Sequence, residues 1–86
     1  KDPYVYFLLG RIYLKLKDVE KAIKFLEEVV KDKNIKSKVI PYLAECYFYM
    51  RDYKSVKSIL KELDLILDVR VKFVKDFWVE DVSYNR

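Results

Sequence analysis

The chain has 86 residues, 52% of them apolar, with one glycine, two prolines and one cysteine. That composition excludes a disordered tract, an intrachain disulfide and a cysteine-based metal site, and leaves room for one small all-α domain. Eighteen Lys and Arg against fourteen Asp and Glu give a net charge of +4 with no His, a mild basic excess well short of a nucleic-acid signature.

In chain order, Asp2-Pro3 opens the first helix. Asp2 can cap free amides, and a proline at the first helical position gives up only an N–H that had no partner. The expected helix runs from Pro3 to about Leu16. Asp18 then offers a second cap, and Val19, Ala22, Ile23, Leu26, Val29 and Val30 recur at helical spacing after it. Glu20 with Lys24 and Glu27 with Lys31 stand four apart in the favourable order, each pair worth about 0.3 kcal/mol. The polar run Lys31 to Lys36 reads as a link, with Ser37 as a cap and a third helix starting somewhere between Ser37 and Pro41.

A shift of 34 residues brings the hairpin back. Leu9 falls on Leu43, Gly10 on Ala44, Tyr13 on Tyr47, Asp18 on Asp52 and Leu26 on Leu60. Gly10 and Ala44 mark places where paired helices approach closely, with Ala22 and Val56 facing them. Tyr6, Leu9, Tyr13, Leu26 and Leu60 are expected to fill the space between hairpins. Residues 69–82 depart from the period, since Trp78 stands where a small residue should be. Val71, Val74, Phe77, Trp78 and Val82 still recur at helical spacing, which predicts a capping helix, although Val69-x-Val71-x-Phe73 also fits a strand. Residues 83–86 are expected to fray.

The first unit reads Tyr6-x-x-Leu9-Gly10-x-x-Tyr13 and then Ala22-x-x-x-Leu26. The second reads Ile40-x-x-Leu43-Ala44-x-x-Tyr47 and then Val56-x-x-x-Leu60. Both resemble the tetratricopeptide repeat family, whose period is 34. Tyr6 replaces the usual Trp, Asn34 and Asp68 replace the usual Pro, and Pro41 is an addition. The resemblance implies a right-handed α-solenoid of two antiparallel helix hairpins plus a terminal helix. Within a single domain spanning 1–86, the repeats would occupy about 3–36 and 37–68, with the cap at about 69–82.

It also implies a function: the first helix of each hairpin would line an inner groove that holds a partner polypeptide. Helical spacing puts Tyr4, Phe7, Arg11 and Lys15 on that side of the first unit, and Lys38, Tyr42, Glu45 and Tyr49 on that side of the second. Aromatic rings with Arg suit partner recognition, because a ring covers much area at little entropic cost. One branch of the family grips a C-terminal carboxylate with Lys, Arg and Asn, but these inner helices contain no Asn, so that clamp is not expected. The first helix is apolar almost all round, which fits burial against protein, including a second copy in a homo-oligomer, as well as an open groove.

Other function classes find little support. With no His, no cysteine pair and no nucleophile elbow, an enzyme is not expected, nor is a cofactor. Lys54, Lys57 and Lys61 form a stripe near Arg51 that could meet phosphates. No aromatic is interleaved and no Gly-rich loop is present, so a solvated face is the better reading and nucleic acid is disfavoured as a partner. Cys46 reads as a buried thiol, and Phe77 with Trp78 as packing of the cap. No run approaches the roughly 18 apolar residues of a membrane span, and Lys1-Asp2-Pro3 shows no signal-peptide pattern. The absence of His, Gln and Thr beside abundant Lys, Glu and Asp is the bias expected of a heat-adapted protein.

Overall fold

The computed structural model describes the backbone of residues 2–77 and the side chains of residues 2–67. Among the described residues every regular element is a helix: α1 (Pro3–Lys15), α2 (Val19–Val29), α3 (Lys36–Tyr49) and α4 (Tyr53–Phe77). Helix α1 packs on α2, α2 on α3, and α3 on α4, the neighbour-on-neighbour order of stacked hairpins.

The two hairpins repeat at the level of single hydrogen bonds. At the first turn the Asp18 N–H donates to the Tyr13 carbonyl at 2.9 Å and the Lys17 N–H to Leu14 at 3.0 Å; at the second, Asp52 donates to Tyr47 at 2.9 Å and Arg51 to Phe48 at 3.0 Å. This pair of bonds is a Schellman closure, which requires one left-handed residue after the helix. Lys17 (φ 66°) and Arg51 (φ 61°) fill that role, and they stand 34 positions apart. The following helices are capped alike, with Asp18 Oδ1 accepting from the Lys21 N–H at 3.3 Å and Asp52 Oδ1 from the Ser55 N–H at 3.2 Å. At the start of α1, Asp2 Oδ1 accepts from the Tyr4 N–H at 2.9 Å, as expected for a capped, proline-led helix.

Gly10 is where α1 and α2 come closest. A Cβ there would lie 2.5 Å from Leu26 Cδ2 and 2.7 Å from Leu26 Cγ, with the Ala22 carbonyl oxygen at 3.5 Å. Leu26 therefore occupies the space a side chain would need, and the glycine is required by close approach. Leu14, Ala22, Leu26, Val29, Ile35, Val39, Leu43 and Cys46 form one buried cluster that runs through both hairpins. Phe25 extends it, lying edge-on to Tyr6 (centroids 5.4 Å apart) and stacked on Tyr13 (5.7 Å).

Several boundaries and contacts differ from expectation. Helix α3 starts at Lys36, before the expected window, so Ser37 lies in its first turn and is not its cap; the cap position is Ile35, with no side-chain cap bond. Burial sets this start: Ile35 is fully buried, and its carbonyl accepts from Lys38 at 2.9 Å and Val39 at 3.0 Å. Pro41 consequently falls inside α3, where it contributes no N–H to the ladder.

Helix α4 runs unbroken through 69–77, so those residues extend it where a separate terminal helix was expected. No Gly or Pro interrupts this stretch, and nothing else there would end a helix. The rest of the expected cap, including Trp78 and Val82, and the expected fraying of 83–86 lie outside the described residues. Leu60, expected in the core, is exposed, because no described helix packs on the outer side of α4. Glu27 accepts a hydrogen bond from the Tyr47 hydroxyl at 2.5 Å, and Lys31 pairs instead with Glu28 at 3.6 Å. Lys36 and Glu62 join α3 to α4 at 3.0 Å, an exposed pair of small energetic weight.

Candidate partner-binding groove

Helices α1 and α3 lie side by side with few contacts between them, and an open groove of about 620 Å³ separates them. Tyr4, Phe7, Leu8 and Arg11 line it from α1, and Lys38 and Tyr42 from α3. The helical repeat produces this lining, since Tyr4, Phe7, Leu8 and Arg11 fall three or four apart along one side of α1, while Gly10 and Leu14 turn toward α2.

Arg11 is the centre of the groove's chemistry. Its guanidinium carbon lies 5.4 Å from the Phe7 ring centroid and 5.2 Å from that of Tyr42, and the two rings meet edge-on at 5.5 Å. Each contact of this kind is worth about 0.5–1 kcal/mol at an exposed site, and together they hold the cation over an aromatic floor. Lys38 adds a second positive charge, and among the described residues no acidic side chain lines the groove. The walls are apolar, and the charge at the rim has one sign.

Of the eight residues singled out from the sequence, the groove unites Tyr4, Phe7, Arg11, Lys38 and Tyr42. Lys15, Glu45 and Tyr49 do not line it. Tyr49 belongs to a separate exposed aromatic group with Phe48 at 6.4 Å, and Lys17 places its ammonium 5.2 Å from the Tyr49 ring. Tyr53 joins the same group through Phe48 at 5.8 Å. Leu8 was missed; its place beside Phe7 and one turn from Tyr4 was the available signal. A second groove of about 410 Å³ opens between α1 and α2, lined by Tyr6, Lys21, Lys24, Phe25 and Glu28.

Cys46 is fully buried and unpaired. Burial, and secondarily the neighbouring Glu45 charge, pushes its thiol up to about 11, which leaves it without nucleophilic character at neutral pH. The Tyr47 hydroxyl is likewise raised, first by burial and then by its hydrogen bond to Glu27. Among the described residues no group of His, Cys, Asp and Glu could hold a metal ion, and no helix is long and apolar enough to cross a membrane. Lys54, Lys57 and Lys61 are all exposed on α4.

Compared with known families, residues 3–31 match the tetratricopeptide repeat model. The first hairpin is similar to a tetratricopeptide repeat. Repeats of this family generally mediate protein–protein interaction and are typically non-catalytic. The matched span ends just after α2, while the turn and cap geometry of this repeat recurs 34 residues later in α3 and α4. Neither a curated protein nor a solved structure matches the chain.

Proposed function

We propose that the chain is a non-catalytic scaffold module that holds a partner polypeptide in the groove between α1 and α3. In this reading 1–86 is one domain of two degenerate tetratricopeptide repeats, and residues beyond about 68 close its far end. The observation that carries it is the convergence of Tyr4, Phe7, Arg11, Lys38 and Tyr42 on one open groove. Half-buried rings held under a cation present area with little rotamer entropy left to lose, which is the character of binding hot spots. The charge at the rim favours a segment with an apolar residue beside an acidic one.

Selection of peptides from a random displayed library against the whole chain tests this. Enrichment of acidic and apolar residues together is expected, with affinity reduced about tenfold or more by Arg11→Ala and by Tyr42→Ala, as for central interface residues. Selected peptides that bind both variants as well as the parent would move the binding surface elsewhere. A second reading, a homo-oligomerisation element, is favoured by the exposed apolar residues of α1. It requires light scattering to show mass rising with concentration, and a constant monomer mass would remove it.

A further inference from the structure

The tips of the two hairpins carry exposed apolar side chains that their turns do not need. In each turn the residue just before the left-handed cation is apolar, Leu16 ahead of Lys17 and Met50 ahead of Arg51, and these C-cap residues are 69% and 48% exposed. A Schellman closure is built from backbone bonds and asks for nothing apolar at that position. Phe48, Tyr49 and Tyr53 stand beside Met50, all exposed and in contact ring to ring. The Lys17 ammonium, 5.2 Å from the Tyr49 ring centroid, shows that both turns lie at one edge of the molecule.

Stacking of repeats does not account for Leu16 and Met50. Hairpins stack through the flanks of their helices, so turns at the helix ends stay in solvent however many repeats are added. Neither groove described above is lined by these residues. The chemistry of the edge is of two kinds: apolar and aromatic side chains at the tips, with exposed Lys15, Lys17, Arg51 and Lys54 around them. Of the acidic residues nearby, Asp18 and Asp52 are tied to backbone amides as caps, Glu20 stands next to Lys21, and Glu45 lies one turn back along α3 from Tyr49. A basic edge with an apolar, aromatic tip matches an anionic bilayer. The acyl boundary takes apolar groups, tyrosine rings rest at the level of the headgroups, and cations meet lipid phosphates.

We infer that this turn edge docks on an anionic lipid surface, with Leu16, Tyr49 and Met50 entering the boundary between headgroups and acyl chains while Lys17 and Arg51 meet the phosphates. The attachment is peripheral and reversible, since two tips bury far less apolar area than a helix lying in the interface. The edge shares no residue with the groove between α1 and α3, and it stands independently of the groove's proposed role.

Co-sedimentation of the whole chain with lipid vesicles tests this, using phosphatidylcholine alone and phosphatidylcholine mixed with phosphatidylserine. Binding is expected to the mixed vesicles only, and more weakly as salt rises. Leu16→Ser together with Met50→Ser should weaken it about tenfold or more with an unchanged far-ultraviolet spectrum, because each removes an inserted apolar side chain at an exposed position. Lys17→Gly together with Arg51→Gly should weaken it about tenfold while keeping the left-handed turns, which glycine accepts. Arg11→Ala together with Lys38→Ala takes the same charge from the groove and should leave it unchanged. Equal binding to neutral vesicles, or none to the mixed ones, would overturn the inference, as would full binding by the serine pair. A response to the groove pair as large as that to the turn pair would overturn it too, since net charge alone would then explain the attraction. A chain that ignores vesicles but self-associates through Leu16 and Met50 would overturn it as well, with a second copy as the occupant.

Discussion

Leu26 and Leu60 stand at the same position of the two hairpins, yet Leu26 is 0% exposed and Leu60 43%. Leu26 is enclosed because α1 presses on it at Gly10 and α3 adds its own core residues. Leu60 has α3 on one side and no described helix on the other. The difference shows that in a stacked array a residue's burial is set by its neighbours' order along the stack as much as by its own repeat. Identical motif positions therefore carry unequal stability.

The sharpest way to test this comparison is truncation at both sites. Leu26→Ala should cost about 3 kcal/mol through lost burial and the cavity left behind, and Leu60→Ala at most about 1 kcal/mol, both read from chemical denaturation. Equal losses would mean that something covers α4. Next in size is the close contact at Gly10. Gly10→Ala should destabilise by about 1–2 kcal/mol, because overpacking against the fully buried Leu26 outweighs the roughly 1 kcal/mol of helix propensity that alanine brings. A gain would show that Leu26 has room to move.

Alkaline pH separates the hairpins in another way, since the raised groups, Cys46 and Tyr47, belong to α3. The Cys46 thiol keeps its proton in the folded state up to about 11, against 9.0 for the free group. Between those values the unfolded chain binds fewer protons than the folded one, so stability falls as pH rises, by no more than about 3 kcal/mol for this group. The loss should appear in melting curves collected from pH 8 to 11, and Cys46→Ala should flatten the slope. The smallest effect is expected at the turns: Arg51→Gly should be neutral or stabilise by up to about 1 kcal/mol, because a left-handed backbone costs a side-chain-bearing residue more than it costs glycine. A loss at this site would give the Arg51 side chain a contact role.

The sequence revealed most about what is local or periodic. Asp18 and Asp52, Gly10 and the 34-residue shift placed both turns and the tight α1–α2 contact, because caps and small residues act within a few residues or at fixed spacing. It was silent where burial overrode local signals. Ile35 starts α3 through its place in the core, ahead of the polar Ser37 that looked like a cap. Helix α4 passes residue 69 because nothing in its sequence stops it. For the groove, spacing found the side of each helix but not how far along it the two helices face each other. Tyr4, Phe7, Arg11, Lys38 and Tyr42 therefore meet, while Lys15, Glu45 and Tyr49 fall beyond the groove's end.

The Tyr47 hydroxyl donates to Glu27, linking the second helix of one hairpin to the first helix of the next, and neither residue lines the groove. A directional bond across that junction acts as a stop on the angle at which one hairpin leans on the other. The spread between α1 and α3 is thereby adjustable from a distance: whatever removes this tether, whether Tyr47→Phe or a competing partner for Glu27, would let the mouth of the groove change its span without touching any residue inside it.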